Sequence, residues 1–476
     1  MVRLTASRLF ELMLFIAIFT MALRAPVDTD MWWHLAAGRF SPTFTPLKFD
    51  LFSHSVEGNP WLNHSWLSQH IFYNLYRLGG LQAIALATAL LVTLTFLTLY
   101  LGHGNPYIRG FSILLAALAS SVVWTPRPHL FSFLAFALVL RRLESLRGKL
   151  DFFLIPATFM LWANLHSGYA AGLLLLFLSL VGNAADSLLY HDPEAGRKTR
   201  LLFIILPLSL LAVCFNPWGP ELLFYPIRTL KIKTLQAYIQ EWASPNFHDL
   251  TNHPAIWLTI AIMLVLAFSG IPAGLAELLP LFAFFYLYLM AVRNVVFYSM
   301  ISVLTLFRHG EVALRRFGLV RPSGKGNYLN TLLLLLALLA AALRGYHILK
   351  GEAIEAQERL FLPKGAVEFT LKGKLTGNLF NSYNWGGYLI WHLYPNCRVF
   401  VDGRTDLYGD EILSQFLKVM RGEEGWDLIL DSYKVGIVIV ERRAPVVRCL
   451  ELKEGWRKVY EDSLAVVFVR AESPSQ

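Results

Sequence analysis

Two acidic residues and a histidine follow the first apolar run of the chain. Asp28 and Asp30 are separated by one residue, and His34 lies a few positions further on. In an extended segment, side chains at i and i+2 point the same way, whereas on a helix they do not share a face. A carboxylate can take a proton from an attacking hydroxyl or bind a divalent cation. Asp28 and Asp30 are therefore the candidate catalytic acids, and the candidate ligands if a metal takes part.

A second group of polar residues recurs in the segments that join later apolar runs. Arginine and histidine can neutralise a departing phosphate through charge-assisted hydrogen bonds. Each also has a simpler explanation, because histidine beside tryptophan can anchor a span at the interface and arginine can extend to the lipid headgroups. Their joint occurrence with two acids favours a site. The predicted phosphate- or substrate-binding residues are His34, His64, Arg127, His129, His166 and Arg293.

Such a set suits the transfer of a group from a lipid-linked phosphate. An acid activates the acceptor hydroxyl, while arginine and histidine stabilise the phosphate that leaves. No HxxxH or CxxC spacing in the sequence supports a structural metal site. The cofactor left open is a divalent cation, Mg²⁺ or Mn²⁺, which does not need thiol ligands.

The composition is that of a membrane protein, so these residues must be held by membrane-spanning elements. The 476 residues are 55% hydrophobic and 16% charged, against about 25% charged in a soluble domain. The formal net charge is +9, but the basic residues mostly flank apolar runs and form no basic stripe with interleaved aromatics. Nucleic-acid binding is therefore excluded as a function.

Eleven apolar runs predict about eleven transmembrane helices. Arg3 and Arg8 precede the first run without a cleavage site of small residues, so it reads as a retained span. Several runs are shorter than a full span, so their boundaries must extend into flanking residues. The runs are Leu9–Leu23, Leu81–Leu101, Phe111–Trp124, Leu130–Leu140, Phe152–Leu165, Ala170–Leu189, Leu201–Phe215, Ala255–Phe268, Leu278–Val292, Val295–Phe307 and Leu329–Leu343.

Orientation follows from the basic residues in short loops. Clusters such as Arg141/Arg142/Arg147/Lys149 and Arg197/Lys198/Arg200 fall on one side, together with the N-terminus. The positive-inside rule makes that side cytoplasmic, and an odd number of spans then puts the tail outside. The chain is predicted to be a multi-pass protein of the cell inner (plasma) membrane, with the candidate site at the extracytoplasmic face.

The first outer loop, 24–80, is predicted to hold two amphipathic helices at the membrane interface. "DMWWHLAAGRF" and "NHSWLSQHIFYNLYRL" each place aromatic residues at helical spacing. Asp30 and Asn63 are their candidate N-caps. Trp32, Trp33, Trp61 and Trp66 are expected in the headgroup layer.

The tail changes character after the last apolar run. Runs of strand length, "GNLFNS", "RVFVD", "VGIVIVE" and "LAVVFVR", alternate with helical stretches such as "GDEILSQFLKVM". The predicted fold is thus an all-α polytopic membrane bundle, residues 1–344, with a small extracytoplasmic α/β domain, residues 345–476. Cys397 and Cys449 lie in this domain, where they could be paired or two separate thiols.

One loop of the tail stands out. "VDGRTDLYG" places Asp402, Arg404 and Asp406 directly after a predicted strand. One interpretation is a turn held by an internal salt bridge. The other is recognition of the acceptor, for which Trp385, Asp402, Arg404 and Asp406 are the candidates.

Four motifs carry a resemblance to a known family. "DTDMWWHLAAGRF", "NPWLNHSWLSQ", "LWANLHSGY" and "NSYNWGGYLIWHLYPNCRVFVDGRTDLYG" resemble a group of bacterial membrane proteins of unassigned substrate, similar to glycosyltransferase family 39, within the GT-C superfamily. The resemblance covers nearly the whole chain. It implies a catalytic acid at Asp28 or Asp30 and sugar donors that are polyprenyl phosphates. The tail has "YNWGGY" where oligosaccharyltransferases have a WWD-type motif, so the resemblance does not imply a peptide acceptor.

The favoured function is a membrane glycosyltransferase that moves a sugar from a polyprenyl-phosphate-linked donor to a glycan, lipid or protein acceptor. The alternatives are a non-enzymatic transporter or flippase of lipid-linked glycans, or an envelope polysaccharide ligase or polymerase. Transporters tend to have related halves and polar groups near the midplane. The sequence has no visible half-repeat and its polar groups cluster at one face, which favours the enzyme.

Overall fold

Each of the eleven apolar runs lies largely within a helix of the computed structural model. The structure describes residues 3–42, 44–232, 240–318 and 326–471. The runs differ from the helices mainly at their ends. The helices that contain them are Ala6–Ala22, Trp66–Tyr100, Pro106–Ser120, His129–Glu144, Asp151–Leu165, Tyr169–Tyr190, Pro193–Val213, His253–Ser269, Leu275–Met290, Val295–Arg316 and Tyr328–Leu349.

Length separates these helices into two groups. Among the described residues, five helical segments are long and apolar enough to cross a membrane; Asp151–Leu165 and Leu275–Met290 are apolar but shorter. Eleven crossings therefore remain a prediction. The five segments are Trp66–Tyr100, Pro106–Val123, Tyr169–Tyr190, Leu250–Ser269 and Tyr328–Leu349.

The chain divides into two compact units. The helical unit comprises Met1–Arg24, Ala85–Pro226 and Ile239–Ile348. The mixed unit comprises Ala25–Ile84, Ile227–Tyr238 and Leu349–Gln476. In contrast to the predicted division at 344/345, most of the first outer loop belongs to the same unit as the tail.

Polar side chains fix the helix starts in the helical unit. The Asn105 side chain accepts hydrogen bonds from the N–H groups of Tyr107 and Ile108, and Pro106 occupies the first helical position. Asp186 does the same for another helix: its carboxylate accepts from Leu275 N at 2.7 Å and Ala276 N at 2.9 Å. Unpaired N–H groups at a helix start are thereby satisfied. Asp186 is thus a helix cap.

The core of the helical unit surrounds Val295–Arg316. This helix buries most of its first three turns and packs against Pro106–Ser120 and His253–Ser269. Gly182 lets Tyr169–Tyr190 approach Leu275–Met290 closely, because a Cβ there would lie 2.5 Å from Ala276 Cα. Small residues at such contacts let helix backbones pack at short distance.

The mixed unit is built on a five-stranded sheet. Its strands are β1 Gly377–Asn381, β2 Cys397–Val399, β3 Val435–Glu441, β4 Trp456–Glu461 and β5 Ala465–Arg470. Their order is β2-β1-β3-β5-β4; β1 is parallel to β2 and β3, and β5 is antiparallel to β3 and β4. The helices of this unit that the structure describes include Met31–Phe40, Gly351–Phe361, Lys364–Lys372, Gly386–Leu393, Thr405–Arg421, Trp426–Ser432 and Pro445–Leu452. The helix Tyr225–Leu230 begins in the helical unit and ends in this one.

Four of these strands coincide with the predicted strand-length runs. β1, β3 and β5 are largely buried, which explains their nearly continuous apolar sequence. β4 was not predicted. It is a half-exposed edge strand with the sequence WRKVYE, so it lacks the apolar run that marked the others.

The first outer loop continues the sheet of the mixed unit beyond β2. Ser53 forms a parallel bridge with Val399; His54 N–H donates to Val399 O at 3.0 Å, and Val399 N–H donates to Phe52 O at 3.1 Å. Ser55 Oγ donates to Phe400 O at 2.5 Å. The loop is therefore held by backbone hydrogen bonds to the tail.

Both helices predicted in this loop are present, and their place at the membrane interface stays a prediction. Every residue from Met31 to Gly38 is buried, and Met31–Phe40 packs against Gly386–Leu393. The second stretch is the start of Trp66–Tyr100, which has non-helical backbone at Gly79 and Gly80. A helix that is apolar nearly all round is expected to be buried, and Met31–Phe40 fits that rule.

Three of the four tryptophans of the loop are interior, and Trp66 is half-buried. Trp32, Trp33 and Trp61 are 2%, 8% and 3% exposed. Trp32 packs edge-on against Tyr388, and Trp33 against Trp61. Their aromatic character serves the core of the mixed unit.

All three cysteines lie in the described part of the chain, and none forms a disulfide. Cys397 is buried in β2, and its thiol contacts Leu375 O at 3.4 Å. Burial raises the pKa of Cys397 to about 11, so the thiol is protonated and unreactive at neutral pH. Of the two alternatives for Cys397 and Cys449, the structure has separate thiols.

Candidate functional site

The two acids at the head of the loop have different surroundings. Asp28 is 6% exposed, and its Oδ1 accepts hydrogen bonds from Asp30 N–H at 2.9 Å and Met31 N–H at 3.0 Å. Asp28 therefore caps Met31–Phe40, a role that the sequence assigned to Asp30. Asp30 makes no side-chain cap hydrogen bond, and the residue is half-buried.

Asp30 lies against the Asp-Gly-Arg loop of the tail. A Cβ on Gly403 would lie 1.9 Å from Asp30 Oδ1 and 2.9 Å from Trp33 Nε1. Tyr383 lies close enough for the charge of Asp30 to act on it. Burial and then that charge raise the pKa of the Tyr383 hydroxyl, which bonds to Thr405 Oγ1 at 2.5 Å. The Tyr383 hydroxyl is thus neutral beside the carboxylate.

His34 belongs to a buried amide network. Gln69 Nε2 donates to His34 Nδ1 at 3.3 Å and to Asn63 Oδ1 at 2.7 Å, and Asn63 Nδ2 donates back to Gln69 Oε1 at 2.8 Å. Because Nδ1 of His34 accepts, its proton sits on Nε2. His34 is 6% exposed, so it supports the segment rather than presenting a surface to a ligand. The Asn63 side chain bonds to the Gln69 side chain and not to backbone N–H groups at a helix start in these contacts. The neighbouring residue His64 is half-buried.

Asp402 and Arg404 form a buried ion network. Arg404 Nε and Nη2 donate to Asp402 Oδ1 and Oδ2 at 2.8 and 2.6 Å, and Arg404 Nη1 donates to Asp50 Oδ1 at 2.6 Å. Tyr408 donates to Asp402 Oδ2 at 2.5 Å. Burial alone lowers the pKa of Arg404, but the charges of Asp402 and Asp50 outweigh it and raise that pKa. The arginine is permanently charged here.

This burial favours the first interpretation of the "VDGR" loop. The side chains of Asp402, Arg404 and Asp50 are at most 1% exposed, which leaves them no surface for an acceptor. Trp385 is 3% exposed and donates to Phe361 O at 3.3 Å. Asp406, in the first turn of Thr405–Arg421, is half-buried and the most accessible of the four acceptor candidates.

In the helical unit, two arginines share one acid. Arg127 forms an ion pair with Glu241 at 2.9 Å. The guanidinium of Arg293 lies over the ring of Trp242, 4.6 Å from its centroid, where the charges of Glu241 and Arg127 both act on it. Two guanidiniums and one carboxylate leave one excess positive charge, so this group, Arg127, Glu241, Trp242 and Arg293, is suited to an anion.

A second group of the helical unit contains two histidines. Trp162 Nε1 donates to Ser132 Oγ at 2.7 Å, Ser132 contacts His166 Nδ1 at 2.8 Å, and Gly168 N–H donates to the same Nδ1 at 3.0 Å. Since Nδ1 accepts, the proton of His166 sits on Nε2. His129 Nε2 donates to Val123 O at 2.9 Å, and the two histidine rings lie 6.4 Å apart. Both imidazoles are oriented by fixed partners.

Several residues of these groups were not among the predicted site residues. Glu241 and Trp242 lie in a long loop with no motif of their own, and Ser132 is one serine in an apolar run. Asp50 has no local signal, because its partner Arg404 is distant in sequence. Only the glycine in "DGR" hinted at a close backbone approach.

The described residues do not form a cage for a divalent cation. No group of three or more His, Cys, Asp or Glu side chains within the described ranges has the arrangement of a metal site. Asp28 uses one carboxylate oxygen for two backbone N–H groups. A divalent cation needs several oxygen ligands, and the described residues do not bring such a group together.

No protein-family model matches the sequence, and no curated protein matches it significantly. Solved structures do resemble it. AglB, the oligosaccharyltransferase of Archaeoglobus fulgidus, solved with an inhibitory peptide and a dolichol-phosphate, aligns with a TM-score of 0.52 at 13% identity, over 91% of this chain and 69% of AglB. An Archaeoglobus fulgidus oligosaccharyltransferase in the apo form aligns with a TM-score of 0.51 at 12% identity, over 90% of this chain and 69% of the oligosaccharyltransferase.

ArnT from Cupriavidus metallidurans, in the apo state, aligns over nearly its full length. The TM-score is 0.51 at 13% identity, and the alignment covers 96% of this chain and 97% of ArnT. At such identity the likeness concerns the fold. This chain therefore shares the fold of AglB and ArnT, which are GT-C glycosyltransferases, the superfamily that its motifs resemble.

Proposed function

We propose that this protein is a membrane glycosyltransferase that moves a sugar from a polyprenyl-phosphate-linked donor to an acceptor hydroxyl at the extracytoplasmic face. The observation that carries the proposal is the difference between the two acids. Asp28 is buried and caps the helix Met31–Phe40, whereas Asp30 does not cap it, is half-buried and lies beside Trp33 and Gly403. The GT-C fold supports it, and AglB was solved with a lipid of the same class, a dolichol-phosphate.

In the proposed reaction Asp30 is the general base. It takes the proton of the acceptor hydroxyl as the hydroxyl oxygen attacks the anomeric carbon of the sugar. The bond between that carbon and the phosphate oxygen breaks, and its electron pair stays on the oxygen. The products are the glycosylated acceptor and the polyprenyl phosphate.

Arg127 and Arg293 are the proposed phosphate-binding residues. Guanidinium groups offer two parallel hydrogen bonds to phosphate oxygens and keep their charge at any working pH. Glu241 orients Arg127, and Trp242 supports Arg293 from one face. His166, with its proton on Nε2, is a proposed donor to the same substrate, and His129 packs beside it.

The proposed topology has eleven crossings of the plasma membrane, a cytoplasmic N-terminus and an extracytoplasmic mixed-unit tail. Alkaline phosphatase is active only outside the cytoplasm and green fluorescent protein is fluorescent mainly inside it. Fused after Gln476, the phosphatase should be active and the fluorescent protein dark. The reverse pattern would exclude an extracytoplasmic Asp30.

The reaction is tested with purified protein in lipid nanodiscs, supplied with undecaprenyl-phosphate-linked hexoses or pentoses and an envelope extract as acceptor source. Release of undecaprenyl phosphate should require the wild-type protein, cease in Asp30→Asn and persist in Glu352→Gln, whose side chain is 80% exposed. In sealed vesicles, movement of the lipid-linked sugar without release of undecaprenyl phosphate would instead identify a flippase.

A further inference from the structure

The Asp-Gly-Arg loop of the tail lies in close contact with Asp30. Its central residue, Gly403, lies so close to Asp30 that a Cβ would sit 1.9 Å from Oδ1 and 2.7 Å from Cγ of that carboxylate. The flanking residues Asp402 and Arg404 are fixed in the buried network with Asp50. The backbone that touches Asp30 is therefore anchored on both sides.

The indole of Trp33 faces the same point. Trp33 is 8% exposed, and its Nε1 lies 2.9 Å from the position of a Gly403 Cβ. This N–H group has no hydrogen-bond partner among the residues that the structure describes. A buried donor without a partner costs roughly 1–3 kcal/mol, so a ligand that brings an acceptor atom within hydrogen-bonding distance of Nε1 gains binding energy.

The position of the indole is itself fixed. Trp61 packs edge-on against Trp33 with centroids 6.1 Å apart, and the Arg404 guanidinium lies 4.8 Å above the ring of Trp61. Gly387 allows the backbone of the acidic segment to approach, since a Cβ there would lie 2.7 Å from Thr29 O and 3.1 Å from Trp33 N. The first loop and the tail thus fix Asp30 and Trp33 together.

We propose that Asp30 and Trp33 bind the acceptor hydroxyl together, and that Gly403 positions the Asp30 carboxylate for this. The Trp33 N–H donates to the hydroxyl oxygen, and the hydroxyl donates its proton to Asp30. The ligand of this site is therefore an alcohol. The proton transfer to Asp30 rests on the proposed glycosyltransferase function, whereas the binding of an alcohol does not. The close approach of Gly403 to Asp30 gives the "DGR" motif a role as a positioning element.

The proposal is tested by the accessibility of Asp30, without the unidentified acceptor. Carbodiimide labelling of carboxylates, read by mass spectrometry, gives the labelling rate of Asp30 relative to exposed Glu352. Glycerol serves as the hydroxyl probe, and 1,2,3-trimethoxypropane, which lacks hydroxyls, is its control. In the wild type, glycerol should slow Asp30 labelling and trimethoxypropane should not.

Two variants separate the roles of the residues. Trp33→Phe keeps an aromatic ring but lacks the indole N–H. The glycerol concentration needed to protect Asp30 should therefore rise about tenfold, as expected for the loss of one hydrogen bond. Gly403→Ala should change the labelling rate of Asp30 without glycerol, because the methyl group displaces the carboxylate. Gly436→Ala, where a Cβ meets nothing within 4 Å, is the matched control and should label like the wild type.

Equal glycerol protection in wild type and Trp33→Phe would overturn the role of Trp33. Wild-type labelling in Gly403→Ala would overturn the role of Gly403. These outcomes are independent of transfer. If labelling behaves as expected but Asp30→Asn still releases undecaprenyl phosphate, then the assignment of Asp30 as the base fails and the alcohol site remains.

Discussion

Arg404 donates to Asp50 at 2.6 Å, although 354 positions separate the two residues in the sequence. Both side chains are buried, and Asp402 completes the network from the other side. A buried arginine between two carboxylates ties the first outer loop to the tail. This contact explains why residues 25–84 and the tail form one compact unit.

Arg404→Met should strongly destabilise the mixed unit. Removing the cation leaves two buried carboxylates without a compensating positive charge, a change that typically costs about 3–5 kcal/mol. Thermal unfolding in detergent measures the effect. The matched control is Glu57→Gln, which breaks the exposed pair of Glu57 with Arg398 and should cost less than about 1 kcal/mol. Equal melting temperatures for the two variants would contradict the structural role of the network.

The two acids of the loop should respond differently to the same substitution. Asp30→Asn should abolish transfer while the protein still folds, because it removes the proposed base from a half-buried position. Asp28→Asn should retain transfer, since asparagine caps a helix about as well as aspartate. Asp28→Ala should cost about 1 kcal/mol of stability. Release of undecaprenyl phosphate and thermal unfolding are the two measurements; an inactive Asp28→Asn with an active Asp30→Asn would reverse the assignment.

Arg293 should contribute through its planar fork as well as its charge. Arg293→Lys keeps the charge but loses the second hydrogen bond, so the donor KM should rise about tenfold. Arg293→Ala should remove activity. Arg308→Lys, in the same unit and 58% exposed, is the control and should leave the donor KM unchanged. Wild-type kinetics in both Arg293 variants would make this residue an interfacial anchor.

The mixed unit should lose stability in mild acid through His54. Burial is the main cause that lowers the pKa of His54 to about 4, against an ordinary value of 6.5. The unfolded chain therefore takes up a proton first, and the contribution of His54 is full above pH 6.5 and lost as the pH falls towards 4. At pH 5 the loss is about 2 kcal/mol.

His54→Phe should flatten this part of the pH profile. Phenylalanine keeps the edge-on contacts with Phe400 and Tyr433 but has no proton to bind. Thermal unfolding between pH 7 and 5 should show a smaller decrease for the variant than for the wild type. Parallel curves would mean that other groups account for the acid sensitivity.

The secondary structure was largely readable from the sequence because it depends on local patterns. Apolar runs predicted the helices, since a backbone in an apolar environment must satisfy its own hydrogen bonds. Strand-length apolar runs predicted β1, β2, β3 and β5 because those strands are buried. β4 was missed because an exposed edge strand needs no such run.

The resemblance to GT-C glycosyltransferases was also readable, because each of its four motifs is a continuous stretch of the chain. The choice between Asp28 and Asp30 was not. Spacing made the two acids equivalent, and the difference arises because Asp28 turns back to the N–H groups of Asp30 and Met31. Similarly, "MWWH" fits an interfacial helix or a buried one, and the choice depends on Gly386–Leu393 packing against it.

The sequence by itself determined the helices, most of the strands and the residue types available for chemistry, because these follow from neighbours within a few positions. The tertiary structure alone decided which polar groups are used internally. Asp402 and Arg404 form a buried ion network because Asp50 supplies the second carboxylate. Gly403 lies against Asp30 because the loop anchored by that network brings its backbone there. Such contacts join positions far apart in the chain, and their energy depends on burial, which no local pattern encodes.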